Sequence, residues 1–378
     1  MLKGLIRIVV VLGVLALLAY GGVRLALGGG KPYPGVTTRA TVAPARITTP
    51  ISLPFPPGMV AASSDGRIFY TYHMLHKPER FSPATVFEWV NGEGRPFPNV
   101  EMQKDFVGAM GVTADRQGRL WIIKPGALAG RATELIAIDM KTGAKLVQHS
   151  FAKGEAGFAQ DMRVSPDGAT VYLADTGVFR FTPASLIVFD VATQKARTVL
   201  KGNATVSAQD WVIRKTNGQP YKLAFGALTF LAGVDGIALS VDGAWLYYAT
   251  MSHDSLYRIP TAALRDESLN DATLAKQIEF VGKKPMSDGI EMLADNSVIV
   301  TDVENGGLVQ IAPDGKLTTL TTDAQGNWAD SVTVAPDGAI WFTDSRLTDL
   351  IDQFATPSDE ATMRARGPHK IYRIAPAG

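Results

Sequence analysis

Aspartates occupy matched places in a series of short hairpin-like repeats, and they are the residues best suited to chemistry. Each repeat has two apolar runs around a turn, and the start of the first run or the end of the second is often acidic. The acidic pairs are Asp161 and Asp175, Asp288 and Asp302, and Asp330 and Asp344. Another repeat has Asp235 and then Thr250, with His253 just beyond. Because a hairpin brings the start of one strand beside the end of the next, each pair is predicted to meet at one end of its hairpin.

So many carboxylates in one place need a partner, because like charges repel and raise one another's pKa. A divalent cation, first of all Ca²⁺, is one such partner, since hard cations take oxygen ligands. A cationic or aromatic small molecule is the other. Asp235, Asp288 and Asp330, at the strand starts, are the predicted metal ligands. The alternative for any single aspartate is that it accepts hydrogen bonds from backbone amides and holds a loop.

Two further repeats break this acidic pattern. They carry Met59 and His73, and Gly111 and Lys124, at the corresponding places. His73, Lys124 and His253 therefore complete the predicted ligand-binding set alongside the aspartates. A separate group of aspartates lies in the turns at the opposite end of the hairpins, where Asp stabilises the turn itself. These turn residues are Asp65, Asp167, Asp242 and Asp337.

Composition and motifs narrow the possible chemistry. The 378 residues contain no cysteine, which excludes disulfides, thiolate metal sites and a cysteine nucleophile. No G-x-S-x-G, H-E-x-x-H, P-loop or dinucleotide-binding motif occurs. A net charge of +1 gives no electrostatic reason to expect nucleic acid. We therefore expect a small-molecule partner and no nucleic acid, and we assign no catalytic residue.

The elements that position these residues form a repeating unit. Six repeats follow one another, with central turns at Gly66, Gly118, Gly168, Gly243, Asn296 and Gly338. Most turns lie about 40 to 55 residues apart, and each unit has about four short strands, which is the period of a β-propeller. The sequence predicts an all-β, six-bladed β-propeller. Two stacked β-sandwiches would explain neither the period nor the short last repeat.

The last repeat ends after three strands, so another part of the chain must complete it. We predict that the N-terminal segment around Arg39 to Thr49 supplies the missing outer strand and closes the ring, because an open propeller would leave edge strands free to pair with other chains. In the fourth repeat, residues 261–276 are predicted to form a polar, helical excursion between strands.

The N-terminus has the pattern expected of an export signal. Lys3 and Arg7 precede the uncharged run from Ile8 to Val23, a pattern that places the N-terminus in the cytoplasm and the rest outside. Residues 1–28 are predicted to be a signal anchor, 29–38 a Gly/Pro linker and 39–378 the propeller. A cleaved signal peptide is the alternative, with Ala19-Tyr20-Gly21 as the cleavage site. The protein is thus expected at the inner membrane facing the periplasm, touching the bilayer only through this helix, or secreted if cleaved.

Several segments resemble the major royal jelly protein/Yellow family. They are GVDGIALSVDGAWLYYATMSHDSLYRIPTAALR, FVGKKPMSDGIEML and WADSVTVAPDGAIWFTDSRL, within a similarity that covers roughly Met110 to Leu347. The resemblance, to a bacterial-type member, implies an exported six-bladed propeller with a ligand pocket at one mouth. Insect members of the family are linked to the conversion of dopachrome or to the binding of biogenic amines.

The chain is similar, more loosely, to the calcium-dependent regucalcin/gluconolactonase propellers. That group carries a metal-binding Glu at the opening of its first repeat and an Asn before the Gly of a central repeat. This sequence has Pro57-Gly58-Met59 and Asp235 at those places, which counts against the same lactone hydrolysis. The alternatives to ligand binding are therefore a metal-dependent lactonase or hydrolase, an isomerase of an oxidised aromatic, and a scaffold that uses the segment 347–367 to bind proteins.

Overall fold

The computed structural model describes residues 2–127, 130–177, 181–322, 327–351 and 358–376. Residues 352–357, in the segment 347–367 considered above as a protein-binding rim, lie outside this description. The α-helices are α1 (Leu2–Leu27), α2 (Thr261–Arg265), α3 (Asp271–Ala275), α4 (Leu347–Ile351) and α5 (Glu360–Ala365). Single 3-10 turns lie at Pro44–Arg46, Met74–His76, Pro78–Arg80 and Ala224–Gly226, and a longer 3-10 segment at Glu101–Phe106. Helices α2 and α3 confirm the helical excursion predicted in the fourth repeat.

Six four-stranded antiparallel sheets form the blades of a β-propeller, as predicted. Blade one has β3 (Pro57–Ala62), β4 (Ile68–Tyr72), β5 (Val86–Val90) and β6 (Glu93–Pro96). Blade two has β7 (Gly111–Ala114), β8 (Arg119–Lys124), β9 (Glu134–Asp139) and β10 (Lys145–Ser150). Blade three has β11 (Ala159–Val164), β12 (Thr170–Asp175), β13 (Ser185–Asp190) and β14 (Lys195–Val199).

The second half of the ring repeats this arrangement. Blade four has β18 (Val234–Leu239), β19 (Trp245–Thr250), β20 (Ser255–Pro260) and β21 (Glu279–Lys283). Blade five has β22 (Ile290–Met292), β23 (Val298–Asp302), β24 (Gly307–Ile311) and β25 (Leu317–Thr322). Blade six has β26 (Ala329–Val334), β27 (Ile340–Asp344) and β28 (His369–Ile374), with β2 (Ile47–Leu53) as its outer strand.

The N-terminal strand closes the ring, but it lies later in the chain than the segment predicted for it. Strand β2 pairs antiparallel with β28, with Ile47 opposite Ile374 and Leu53 opposite His369. Residues 41–42 instead hydrogen-bond to β25 of blade five. Pro44 accounts for the difference, because proline has no N–H to donate to a sheet and here opens a 3-10 turn, so that pairing with β28 begins after it.

The core lies between the blades rather than at the centre of the ring. Each blade packs face to face on the next, and the middle strands are buried on both faces, which explains why they are continuous apolar runs. Trp121 of blade two, for example, packs in one cluster with Leu173 and Phe189 of blade three. The hairpin turns hold glycine at positive φ, and Asn296 takes that conformation at φ 61° where blade five has no glycine.

Two elements lie outside the ring. Helix α1 contains an apolar stretch, Leu5–Leu27, that is long enough to cross a membrane, with a mean hydropathy of 2.3; a signal sequence has the same properties. Residues 203–233, inserted between blades three and four, form what we call the cap. It carries β15 (Trp211–Val212), which pairs in parallel with β1 (Lys31–Pro32), and the small hairpin of β16 (Lys222–Leu223) and β17 (Leu228–Thr229).

Candidate carboxylate site in the channel

Irregular pairing at the start of the inner strands positions the site. In blade four the register shifts between Val234 and Gly236, so that Asp235 has no direct partner on the next strand. Equivalent shifts occur at Gln160 in blade three and at Asp330 in blade six. A β-bulge of this kind redirects a side chain locally, and here it does so where the six inner strands begin.

Glycines then allow neighbouring inner strands to approach one another closely. A Cβ atom at Gly236 would lie 2.6 Å from the carbonyl oxygen of Asp288, and one at Gly289 would lie 2.8 Å from that of Asp330. Both distances are too short for a side chain. The Asp-Gly order therefore packs blades four, five and six tightly and brings Asp235, Asp288 and Asp330 together; we call these three residues the carboxylate cluster.

The cluster is buried and tied to its surroundings by hydrogen bonds. Its three side chains belong to residues that are at most 7% exposed. The indole Nε1 of Trp328 donates to Asp288 Oδ2 at 2.6 Å. The Gln160 Nε2 amide donates to Asp235 Oδ2, while the buried Gln160 Oε1 has no hydrogen-bond partner among the described residues. The three predicted metal ligands are thus neighbours, with one vacant oxygen acceptor on the adjoining glutamine.

Burial raises the pKa of all three carboxyls well above the ordinary value. The charges of Asp161 and Asp330 raise the pKa of Asp235 further, and the charge of Asp235 raises that of Asp288. A hydrogen bond between Asp235 and Asp288 lowers the pKa of the first and raises that of the second. Burial and mutual repulsion therefore favour a proton shared between these two carboxyls.

His73 faces the cluster in its neutral form. Its Nδ1 accepts a hydrogen bond from the backbone N–H of Leu75 at 3.3 Å, which leaves the proton on Nε2, 3.8 Å from Asp330 Oδ2. Burial, and next the nearby His76, lower the pKa of His73 to about 3. His73 therefore adds no positive charge to the cluster near neutral pH.

Asp161 differs in role from the clustered aspartates. Asp161 occupies the place that glycine has in blades four and five. The residue before it, Gln160, therefore corresponds to Asp235 and Asp288. Asp161 Oδ2 accepts the backbone N–H of Ile237 at 3.0 Å and joins blades three and four. Its Oδ1 pairs with Arg163 at 2.8 Å, and Arg163 also reaches Glu291 of blade five at 3.3 Å.

The aspartates at the ends of the second strands hold loops. Asp175 accepts the backbone N–H groups of residues 157, 158 and 177 at 2.9–3.1 Å. Asp344 accepts those of residues 327, 328 and 346, also at 2.9–3.1 Å. Asp302 accepts from two backbone amides, from the Asn305 side chain and from the hydroxyl of Thr37. This is the loop-holding role considered as the alternative for a single aspartate.

Lys124 and His253 are engaged within their own blades. Lys124 Nζ pairs with Glu134 on the adjacent strand at 2.9 Å. His253 Nδ1 accepts the Ser255 N–H at 3.1 Å, and its ring meets that of Tyr257 edge-on at 5.4 Å between centroids. Burial lowers the pKa of His253 to about 4. These contacts do not bring either side chain to the carboxylate cluster.

Sequence reasoning missed two buried residues near the site. Gln160 is the residue that corresponds to Asp235. The sequence analysis matched Asp161, the next residue along, because it is acidic. Lys284 is 0% exposed and donates from Nζ to the Pro285 carbonyl at 3.0 Å and to Ser287 Oγ at 2.9 Å. Burial lowers its pKa to about 7. A lone lysine between a strand and a turn carries no sequence signal for such burial.

The cap covers the cluster with aromatic rings. Trp328, the donor to Asp288, lies 5.4 Å from Tyr221 and 6.1 Å from Phe230 of the cap between ring centroids. The Tyr221 hydroxyl donates to the Leu347 carbonyl at 2.7 Å, which fastens the cap across the mouth. Among the described residues, the cap thus packs as an apolar cluster over the mouth where the aspartates begin their strands.

A cavity of about 470 Å³ approaches the cluster from the other end of the channel. Its walls run from the hairpin turns inward along blades one and six as far as Met59 and Ser331, the latter next to Asp330. Arg163 and Glu291 contribute charge to the wall. The cavity comes within one residue of Asp330 along the chain, and the clustered aspartates themselves do not line it.

The donor set fits a bare metal ion poorly. Within the described ranges, no three His, Asp or Glu side chains are placed to hold one ion. At the opening of the first repeat, Pro57-Gly58-Met59, the nearest thing to a ligand is the Met59 thioether, which hard cations do not favour.

Comparison with known proteins places the chain in a family. A family model for major royal jelly proteins matches residues 107–358, more than half of the chain. The chain belongs to the major royal jelly protein family. This confirms the family resemblance seen in the sequence. No curated protein matches the chain significantly.

Solved propellers share the fold. The chain is similar to a gluconolactonase from Xanthomonas campestris, at 13% identity and a TM-score of 0.53, covering 92% of this chain and 97% of that one. It is also similar to regucalcin, a calcium-binding protein from Agrobacterium tumefaciens, at 13% identity and a TM-score of 0.52, covering 86% and 91%. At such identities the likeness extends to the fold alone.

Proposed function

We propose that this protein is an exported, membrane-tethered propeller that binds a small organic cation in the carboxylate cluster. The observation that carries the proposal is the convergence of Asp235, Asp288 and Asp330 at a buried point with little positive charge to balance them. His73 is neutral there, and Arg163 is engaged by two other carboxylates. Lys284 is the nearby cation, and burial lowers its pKa to about 7, so it carries only part of a charge near neutral pH. Without a ligand, the cluster must hold protons to limit its repulsion.

A primary ammonium group suits this arrangement. It brings one positive charge and three N–H donors, which the carboxylates and the vacant Gln160 Oε1 can accept. A divalent ion needs several oxygens at fixed distances, and the described side chains do not converge in that way. The approach for the ligand in this proposal is the cavity that ends at Ser331, one residue from Asp330.

Isothermal titration of the full chain in nanodiscs with tyramine, and separately with calcium chloride, tests this proposal. Tyramine is expected to bind and to displace protons, so its heat should differ between buffers of different ionisation enthalpy. Asp288→Asn should weaken binding at least about tenfold, which is 1.4 kcal/mol. Asp242→Asn, in an exposed turn, is the matched control and should bind normally. Unchanged affinity in Asp288→Asn, or no saturable binding of tyramine by the native chain, would refute the site.

A second function, proton transfer in an isomerase, is favoured by the proton shared between Asp235 and Asp288. An ionised carboxylate can take a proton from a substrate carbon while its protonated neighbour donates one to a substrate oxygen. Dopachrome, which the family resemblance suggests, is the substrate to try. The native chain should accelerate its loss and Asp288→Asn should not, with Asp242→Asn again as the control. Equal rates in all three proteins and in buffer would exclude this activity.

A further inference from the structure

We propose that the tip of the cap, the turn Ala224–Gly226, lies in the lipid interface, so that the capped mouth of the propeller faces the bilayer. This inference rests on α1 being the membrane anchor, as proposed above. Its partner is a phospholipid surface rather than a second protein, because the tip is fixed to the apolar helix itself.

Hydrogen bonds tie the cap to the end of α1. The Tyr20 hydroxyl donates to the carbonyl oxygen of Phe225 at 2.8 Å. Lys222 Nζ donates to the carbonyl of Gly28 at 2.8 Å, and the Thr229 hydroxyl to that of Gly29 at 2.9 Å. The small hairpin of β16 and β17 therefore runs back along the helix, with its tip beside Tyr20 and its base beside the linker.

The height of Tyr20 sets the depth of the tip. Tyr20 lies seven residues before Leu27, the end of the apolar stretch, which is about 10 Å along a helix. Arg24 lies one turn nearer the linker and can extend its guanidinium to water. Tyrosine is enriched at the boundary between hydrocarbon and headgroups. Phe225, bonded to Tyr20, is held at that same boundary.

The conformation of the tip exposes an aromatic ring. The side chain of Phe225 is 91% exposed. Ala224, Phe225 and Gly226 all have positive φ, at 49°, 56° and 85°. Positive φ costs conformational free energy in residues other than glycine. Here this backbone conformation directs the Phe225 ring away from the protein surface. A lipid interface supplies the missing apolar contact.

The charge of the cap agrees with this orientation. Residues 203–233 contain Lys215 and Lys222 against a single acid, Asp210, and a third cation, Arg214, that pairs with Glu304 of blade five at 3.0 Å. A basic segment beside an apolar tip is attracted to anionic headgroups.

Single spin labels test the proposal directly, because the chain has no cysteine of its own. Labels at Phe225→Cys, at Leu15→Cys within α1 and at Phe280→Cys are compared in the full chain in anionic phospholipid nanodiscs. Phe280, 58% exposed on the outer strand of blade four, is the matched aromatic control. We expect the label at 225 to be relaxed by oxygen and shielded from a water-soluble nickel complex, as at 15, with the reverse at 280.

The outcomes separate the two proposals. A label in lipid at 15 but in water at 225 overturns the orientation of the cap and leaves the anchor intact. A label in water at 15 overturns the anchor and the orientation together. Because the Phe225 side chain is exposed, its replacement should not disturb folding, which the near-ultraviolet circular dichroism of the labelled protein verifies.

Discussion

The substitution Asp288→Asn gives the sharpest test of the buried cluster. Asparagine has the shape of a protonated aspartic acid. Its Oδ1 can still accept the Trp328 indole N–H, and its amide can still donate to Asp235, as the protonated Asp288 carboxyl does. The variant is therefore uncharged at every pH, like the protonated form that burial favours in the native residue. We expect it to fold and to be more stable than the native protein at neutral and alkaline pH.

The size of the effect follows from proton linkage. An aspartate in the unfolded chain ionises near pH 3.9. The raised pKa of Asp288 means that the folded protein keeps this proton at higher pH, so the free energy of unfolding falls as pH rises between the two pKa values. The loss is about 1.4 kcal/mol per pH unit for one proton. With roughly 0.7 kcal/mol/K of unfolding entropy for the ~340 residues after the linker, this corresponds to about 2 °C per pH unit.

Thermal unfolding of both proteins between pH 5 and 8 measures this difference. The Tm advantage of Asp288→Asn over the native chain should grow with pH and shrink toward pH 5. Asp242→Asn is the control, because the hydrogen bond from Ser240, followed by one from the backbone, lowers the pKa of Asp242, so its linkage is complete below this range. A Tm difference that stays constant with pH, or a native protein that gains stability as pH rises in step with the variant, would refute the raised pKa.

Three further substitutions test the packing around the cluster. Trp328→Phe removes the donor to Asp288 and should lower the free energy of unfolding by about 1–3 kcal/mol in urea, whereas an unchanged value would mean that the bond is unimportant. Gly236→Ala puts a Cβ 2.6 Å from a carbonyl oxygen and should cost about 2 kcal/mol or more in the same assay, and a neutral result would contradict the close approach of blades four and five. Arg163→Met leaves Asp161 and a second carboxylate uncompensated, with an expected loss of about 3–5 kcal/mol near pH 7 that shrinks as pH falls; a loss independent of pH would exclude the ion pairs as its cause.

The fold could be predicted because it depends on turn and strand patterns that are local in the sequence. A turn such as Val241-Asp242-Gly243 fixes where two strands meet, and its recurrence fixes the number of blades. The closing strand was displaced from its predicted place because only pairing with β28, more than 300 residues away, decides which N-terminal residues join blade six. The effect of Pro44 can be read from the local sequence. The position of β28, the distant partner of β2, cannot.

The site was predicted in part for the same reason. The predicted aspartates lie at the expected ends of their hairpins, but sequence spacing does not reveal a bulge, so Asp161 was aligned where Gln160 belongs. Sequence also could not separate Asp235, which faces other carboxyls, from Asp344, which faces backbone amides, since both close a hairpin equally well. That distinction depends on contacts between blades and on the cap.

The pairing of β2 with β28 also orders the events of biosynthesis. Strand β2 is made more than 300 residues before its partner β28, so the ring stays open until β28 has been made. Contacts this distant in sequence form slowly, and unpaired edges invite aggregation meanwhile. A membrane anchor just ahead of β2 would restrict the position of β2 until β28 is available to pair with it. Removing residues 369–374 should therefore leave β2 without a partner and one edge of β27 unpaired. We expect the effect to be seen first as aggregation during synthesis.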